Sequence, residues 1–212
     1  MSTPWDTALA AIDWIGNDAP VDLSGNGGTI KQTCRAAIEL GSTITPSNST
    51  IAGWFRYAGG TQASLSTFFY CGAMEALFSD GLWVYQPSGS INAVTALTYR
   101  YGSSLAGSLP STTDFADWHH LAFTNSGGTV VGYLDNVSFS VGTLANPQIK
   151  SIGVDSESSR KTGLIAAGVG LWDSVLSAGD IAWLADAANR PAPATGGTPT
   201  TFHPLKSRAL GA

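Results

Sequence analysis

Charge is what this sequence has least of. Lys, Arg, Asp and Glu make up 12% of its 212 residues, against roughly 25% in ordinary globular domains. A surface so poor in charge is kept in water by Ser, Thr, Asn and Gly, or is covered by neighbouring molecules. Basic residues are the scarcer sign. All the acids lie in residues 1–186, while residues 187–212 hold Arg190, Lys206 and Arg208 and no acid. The net charge of -5 argues against nucleic acid as a partner, because phosphate contacts need clustered Lys and Arg. Cysteine is scarce too. Cys34 and Cys71 are fewer than a disulfide-stapled secreted domain carries, and two reduced thiols are expected rather than a bridge. No apolar run approaches the roughly 18 residues of a membrane span. Met1-Ser2-Thr3-Pro4-Trp5-Asp6 has neither the basic nor the apolar region of a secretory signal. The expectation is synthesis in the cytoplasm without a signal peptide. The triplets Asn48-Ser49-Thr50 and Asn136-Val137-Ser138 then have no glycosylation role.

Hydrophobic residues are abundant at 43%, enough for one full core. Their spacing is mostly two. In Trp118-His119-His120-Leu121-Ala122-Phe123-Thr124, Leu121 and Phe123 alternate with His120, Ala122 and Thr124, as on a strand. Gly127-Gly128 then turns the chain into Thr129–Leu134, and Asp135-Asn136 closes that strand. Further strands are expected near 33–40, 50–57, 65–71, 75–79, 82–86, 93–99, 149–154 and 164–172. Many short strands divided by Gly, Pro and Asn turns indicate an all-β sandwich or jelly roll. Residues 3–15 are expected to form a helix, with Thr3 as cap, Pro4 in the first turn and Trp5, Leu9 and Ile12 on one face. Residues 100–114 read as one long loop. Ser177-Ala178-Gly179-Asp180 is a capping box that starts a second helix. Pro191–Pro199 is a Pro/Gly-rich stretch that builds no core of its own.

These residues resemble a known group. Trp118-His119-His120-Leu121-Ala122 followed by Asp135-Asn136 is similar to a strand pair of laminin G-like and pentraxin domains. The loop Asp22-Leu23-Ser24-Gly25-Asn26-Gly27 and the run Leu171-Trp172-Asp173-Ser174-Val175-Leu176-Ser177-Ala178-Gly179-Asp180-Ile181 match that group's first loop and its last strand and helix. The resemblance covers about residues 20–188. It implies a concanavalin A-like jelly-roll sandwich at 20–190, with a helical segment at 1–19 and an extended arm at 191–212. It also implies that His119 and His120 are structural, one facing in and one out. Trp54, Trp118, Trp172 and Trp183 are expected in the core, with Trp118 buried beside Leu121 or Phe123.

The residue pattern carries no recognisable catalytic set. Glycosidases of this fold type place carboxylates as E-x-D-x-x-E, because alternate strand positions share a face. The glutamates are Glu39, Glu75 and Glu157, and none stands in that pattern. Asp155-Ser156-Glu157 has the spacing but no third acid. His203 lies in the Pro-rich tail, neither cysteine has a catalytic signature, and Gly25-Asn26-Gly27-Gly28 lacks the lysine of a phosphate loop. The chain is expected not to be an enzyme. Gly153-Val154-Asp155-Ser156-Glu157-Ser158 resembles the pentraxin calcium loop, which makes Asp155 and Glu157 the candidate Ca2+ ligands. Six to eight oxygens are needed, and Cys71–Glu75 lacks the Asn-bearing pair that would complete the set. Trp83, Tyr85, Tyr99 and Tyr101 are the candidate glycan-binding aromatics, expected to line one concave face.

The leading expectation is a non-enzymatic structural or decoration subunit of a larger assembly, such as the capsid or tail surface of a phage virion. Its protein partners would be copies of itself or a shell protein. Arg190, Phe202, Leu205, Lys206 and Arg208 would form the partner-binding arm. The alternative is a carbohydrate-binding or adhesion module that takes surface glycans. A degenerate glycoside hydrolase is the third reading.

Overall fold

A computed structural model describes residues 3–8, 10–15, 29–31, 37–57, 70–72, 82–85, 98–101, 105–110, 117–143, 149–153 and 164–191. The chain is all-β, with short helical pieces near its two ends. The strands are β1 (Ala10–Ile15), β2 (Thr29–Lys31), β3 (Ala37–Ile44), β4 (Asn48–Tyr57), β5 (Tyr70–Gly72), β6 (Leu82–Tyr85) and β7 (Thr98–Tyr101). They continue as β8 (Leu105–Ser108), β9 (His119–Ser126), β10 (Thr129–Leu134), β11 (Val137–Thr143), β12 (Ile149–Gly153) and β13 (Leu164–Trp172). Among the described residues one α-helix, α1, spans Ala178–Ala185. The strands form a six-stranded sheet in the order β1-β13-β4-β9-β10-β11, a four-stranded sheet β2-β3-β12-β5 and a three-stranded sheet β6-β7-β8. All the pairings are antiparallel.

The helix expected over 3–15 is not there. Pro4–Thr7 is a single 3-10 turn, closed by the reciprocal box of Thr3 and Asp6. The chain then enters β1, whose Ala10–Ile15 pairs with Leu171–Ala166 of β13. The residue types explain the outcome. Ile12, Trp14 and Ile15 are β-branched or aromatic and favour a strand, and the unpaired edge of β13 offers a full ladder of backbone partners. The loop read over 100–114 also contains a strand, β8, and β11 had no counterpart in the expected strands.

The register of the six-stranded sheet sorts its residues onto two faces. Trp54 pairs with His120, Ala52 with Ala122 and Thr50 with Thr124, so these six share one face. Ile51 and Phe55 fall on the other with Leu121 and Phe123. Both faces are covered at β9, where the residues from His120 to Asn125 are all buried. On the first face the small side chains of Ala52 and Ala122 admit Ile181 and Leu184 of α1, together with Ala8, Trp172 and Leu176. Thr50 ties the segment after β13 down, donating to the Ser174 carbonyl (2.8 Å) and accepting from the Leu176 N–H (2.9 Å). Ser177 caps α1 and Asp180 bonds back to it, as the sequence indicated. On the second face Phe139 lies over Gly132, its partner across β10 and β11, and meets the Phe123 ring edge-on at 5.9 Å.

The β9–β10 turn needs its glycines. Gly127 and Gly128 both have positive φ, 54° and 96°, the conformation of a tight two-residue hairpin. Asp135 and Asn136 repeat it at φ 49° and 65°. These residue types tolerate that conformation better than most.

Candidate functional site

The candidate aromatics come from the three-stranded sheet. Trp83 pairs with Arg100 and Tyr85 with Thr98, while Leu82 pairs with Tyr101 and Val84 with Tyr99. Directly paired residues share a face, and alternate residues do too. Trp83 and Tyr85 therefore share a face with Arg100 and Thr98, and Tyr99 and Tyr101 occupy the opposite one. The four rings expected on one concave face are split two and two. Pairing with β8 extends the first group to Ala106 and Ser108. Ser108 is exposed, whereas Leu109, just beyond the strand, is buried.

A second cluster gathers where β4, β9 and the end of the helical segment meet. Trp54 is buried and donates its indole N–H to the Leu184 carbonyl at 2.9 Å. The Arg190 guanidinium lies over two rings, 5.4 Å from the centre of Trp54 and 4.7 Å from that of Trp118. Arg56 reaches the same Trp118 ring at 5.3 Å. Burial, and then the charge of Arg56, draw the Arg190 pKa below its usual value. One expectation is corrected here. Trp118 is half-buried on the α1 face of the sheet, not enclosed with Leu121 and Phe123, because it precedes β9 and takes the parity of His120. Arg190 is the one expected partner-binding arm residue that the structure describes. Its side chain packs on the domain's own rings, and the next residue, Pro191, lies against Gly168 of β13.

Beside this cluster stands the histidine pair. His119 Nδ1 contacts the Asp135 carboxylate at 2.7 Å, and the His120 backbone N–H donates to the other carboxylate oxygen at 2.9 Å. Burial raises the Asp135 carboxyl, but these bonds and the imidazole charges outweigh it and hold the group below its ordinary range. His120 is 1% exposed and meets the Trp54 ring at 5.4 Å. Burial pushes its pKa down to about 4, against the pull of Asp135. The two histidines point to opposite faces of β9, and His120 is fully buried because α1 covers its side.

The chain is similar in fold to toxin binding domains and to a sialidase. No protein-family model matches it, and no curated protein sequence does. The ligand binding domain of botulinum neurotoxin serotype D, solved with N-acetylneuraminic acid, superposes with a TM-score of 0.59 at 13% identity, over 85% of this chain and 51% of that one. The Trypanosoma rangeli sialidase, solved with 2-keto-3-deoxy-D-glycero-D-galacto-2,3-difluoro-nononic acid, gives 0.60 at 11% identity, over 84% and 32%. The receptor binding domain of botulinum neurotoxin type G gives 0.52 at 12% identity, over 84% and 51%. The chain thus spans about half the length of the toxin domains and about a third of the sialidase. At these identities the likeness is one of fold alone.

The remaining candidates contribute no geometry. Asp155 and Glu157 of the acidic loop, and Phe202, Leu205, Lys206 and Arg208 of the tail, lie outside the described residues. Among the described residues, no three of His, Cys, Asp and Glu stand close enough to hold a metal ion, and no helix is long and apolar enough to cross a membrane. A shallow groove between β10 and β11 is lined by Thr129, Val131, Ser138, Phe139, Ser140 and Thr143 among others. It offers hydroxyls but no titratable side chain. The Arg56–Trp118–Arg190 grouping escaped the sequence reading, although one signal was available. Trp54 and Arg56 stand two apart on a strand, and Trp118 stands two before His120 where its neighbour begins.

Proposed function

We propose that this chain is a non-catalytic carbohydrate-binding module on a concanavalin A-like jelly roll, with the Trp83 and Tyr85 face of β6-β7-β8 as its sugar platform. The observation that carries this reading is the register that sets Trp83 and Tyr85 on one face with Arg100, Thr98 and the exposed Ser108. A pyranose has an apolar C–H face that packs on aromatic rings and a rim of hydroxyls that needs donors and acceptors. Indole, phenol, guanidinium and hydroxyl groups on adjacent strands supply both. The fold likeness adds support, since one similar domain was solved with N-acetylneuraminic acid and a similar sialidase with a related sugar. Fold likeness alone does not carry function, so the weight rests on the β6–β7 register. The absence of an E-x-D-x-x-E strand from the sequence favours binding without hydrolysis.

This reading replaces the virion-subunit expectation as the leading one. That expectation drew on low charge, on the lack of a secretory signal and a catalytic set, and on a Pro/Gly-rich arm that lies outside the described residues. A glycan array followed by calorimetry on the full chain tests the proposal. Binding of at least one glycan class is expected. Trp83→Ala and Tyr85→Ala should each weaken it at least tenfold, and Tyr99→Phe, on the other face, should leave it within about twofold. Binding unaffected by either of the first two substitutions would remove the platform.

A further inference from the structure

We infer that the Arg56–Trp118–Arg190 cluster is a carboxylate-binding site, which directs the module toward acidic saccharides. The inference rests on the carbohydrate reading for its ligand class and on a separate set of residues for its chemistry. Two guanidiniums converge on one half-buried indole, at 5.3 and 4.7 Å. The two positive charges act on one another, since Arg56 helps draw the Arg190 pKa down, and a bound anion would relieve that repulsion. Among the described residues, no carboxylate stands within ion-pairing distance of either arginine, and the one pair formed there is His119 with Asp135. Arg56 also holds its Nε buried without a hydrogen-bond acceptor. Such an N–H is normally satisfied by protein or by a bound group.

The frame around the cluster is fixed in advance. Trp54 is anchored to the Leu184 carbonyl, the Arg190 N–H reaches the Ala187 carbonyl at 3.4 Å, and Pro191 rests against Gly168. A planar carboxylate suits the fork of a guanidinium, which can donate two parallel bonds to it. The aromatic wall of Trp118 beside that fork suits the ring that bears the carboxylate. An isolated inorganic anion would use the charge and leave the indole without a role.

The test compares two disaccharides that differ in one group, one ending in glucuronic acid and the other in glucose, titrated into the full chain at low salt. The acid is expected to bind at least tenfold more tightly. The preference should shrink in 0.5 M sodium chloride, as a charge pair near the surface requires. Arg56→Gln and Arg190→Gln should each bring the acid's affinity down to that of the neutral sugar, and a thermal melt of each variant should show it still folded. Equal affinities in the wild type, a preference that survives in both variants, or displacement of the acid by inorganic sulfate at the same concentration would each overturn the site. Trp83→Ala separates this inference from the platform. If that variant loses both sugars and the wild type shows no acid preference, the platform stands and the arginine site falls. If it keeps the acid preference while the arginine variants lose it, the arginine site stands and the platform falls.

Discussion

Tryptophan identity alone did not reveal how much each indole contributes. Trp172 is fully buried, donates its N–H to the Pro4 carbonyl at 2.8 Å and packs on Trp5 with ring centres 5.5 Å apart. Trp118 is half-buried and is contacted by cations. Trp172→Ala should therefore lower stability by roughly 3–5 kcal/mol, the cost of a large core cavity. Trp118→Ala should lose only about 1 kcal/mol, the scale of a partly exposed cation–π contact. Urea denaturation of the two variants checks the order, and equal losses would place Trp118 in the core after all. His120 sets a pH dependence. Its pKa is about 4 in the folded chain against 6.5 when unperturbed. Between those values the unfolded chain takes up a proton that the folded chain refuses. Stability is thus fully present above pH 6.5 and declines as the pH falls toward 4, by roughly 3 kcal/mol. Asp135, held low, adds a further loss in the more acidic range below its unperturbed value of 3.8. Denaturation midpoints at pH 7.5, 5.5 and 4.5 should fall in the wild type and flatten in His120→Gln.

At the scale of elements, the strands with strict alternation and flanking turn residues were legible. Thr129–Leu134 and Leu164–Trp172 match their expected limits, and the Ser177–Asp180 box marks the start of α1. The misses share a cause. β1 exists because β13 offers it an edge, β8 because β7 does, and β11 because β10 does. Ladder bonds to a neighbouring strand, distant in sequence for β1 and adjacent for β8, overrode a helix-like apolar spacing at 3–15 and a Ser/Gly composition at 105–108. One element-level detail is exacting. β13 bulges between Ala167 and Gly170, and Gly168 there has φ 56° with Pro191 within 2.9 Å of where a Cβ would stand. Gly168→Ala needs both a left-handed backbone and a displaced proline, so it should destabilise by about 2 kcal/mol or more. A thermal melt indistinguishable from that of the wild type would show that the bulge can relax.

At the scale of the whole molecule, the all-β class was legible from spacing and turns. The candidate sites were legible only in part. Composition drew attention to Trp83, Tyr85, Tyr99 and Tyr101, but only pairing separates them into two faces. Arg190 looked like the first residue of an arm because prolines follow it, yet two indoles hold it to the domain. Sequence lists residues along a line, whereas a binding face is made of alternate residues from strands that meet across the fold. The most direct measurement is an amide chemical-shift titration of the isotope-labelled full chain with the tightest glycan from the array. The account predicts saturable shifts concentrated in Leu82–Tyr85, Thr98–Tyr101 and Leu105–Ser108, joined by residues around Arg56, Trp118 and Arg190 when the glycan is acidic. Saturable shifts confined to other strands, or none with any glycan, would contradict it.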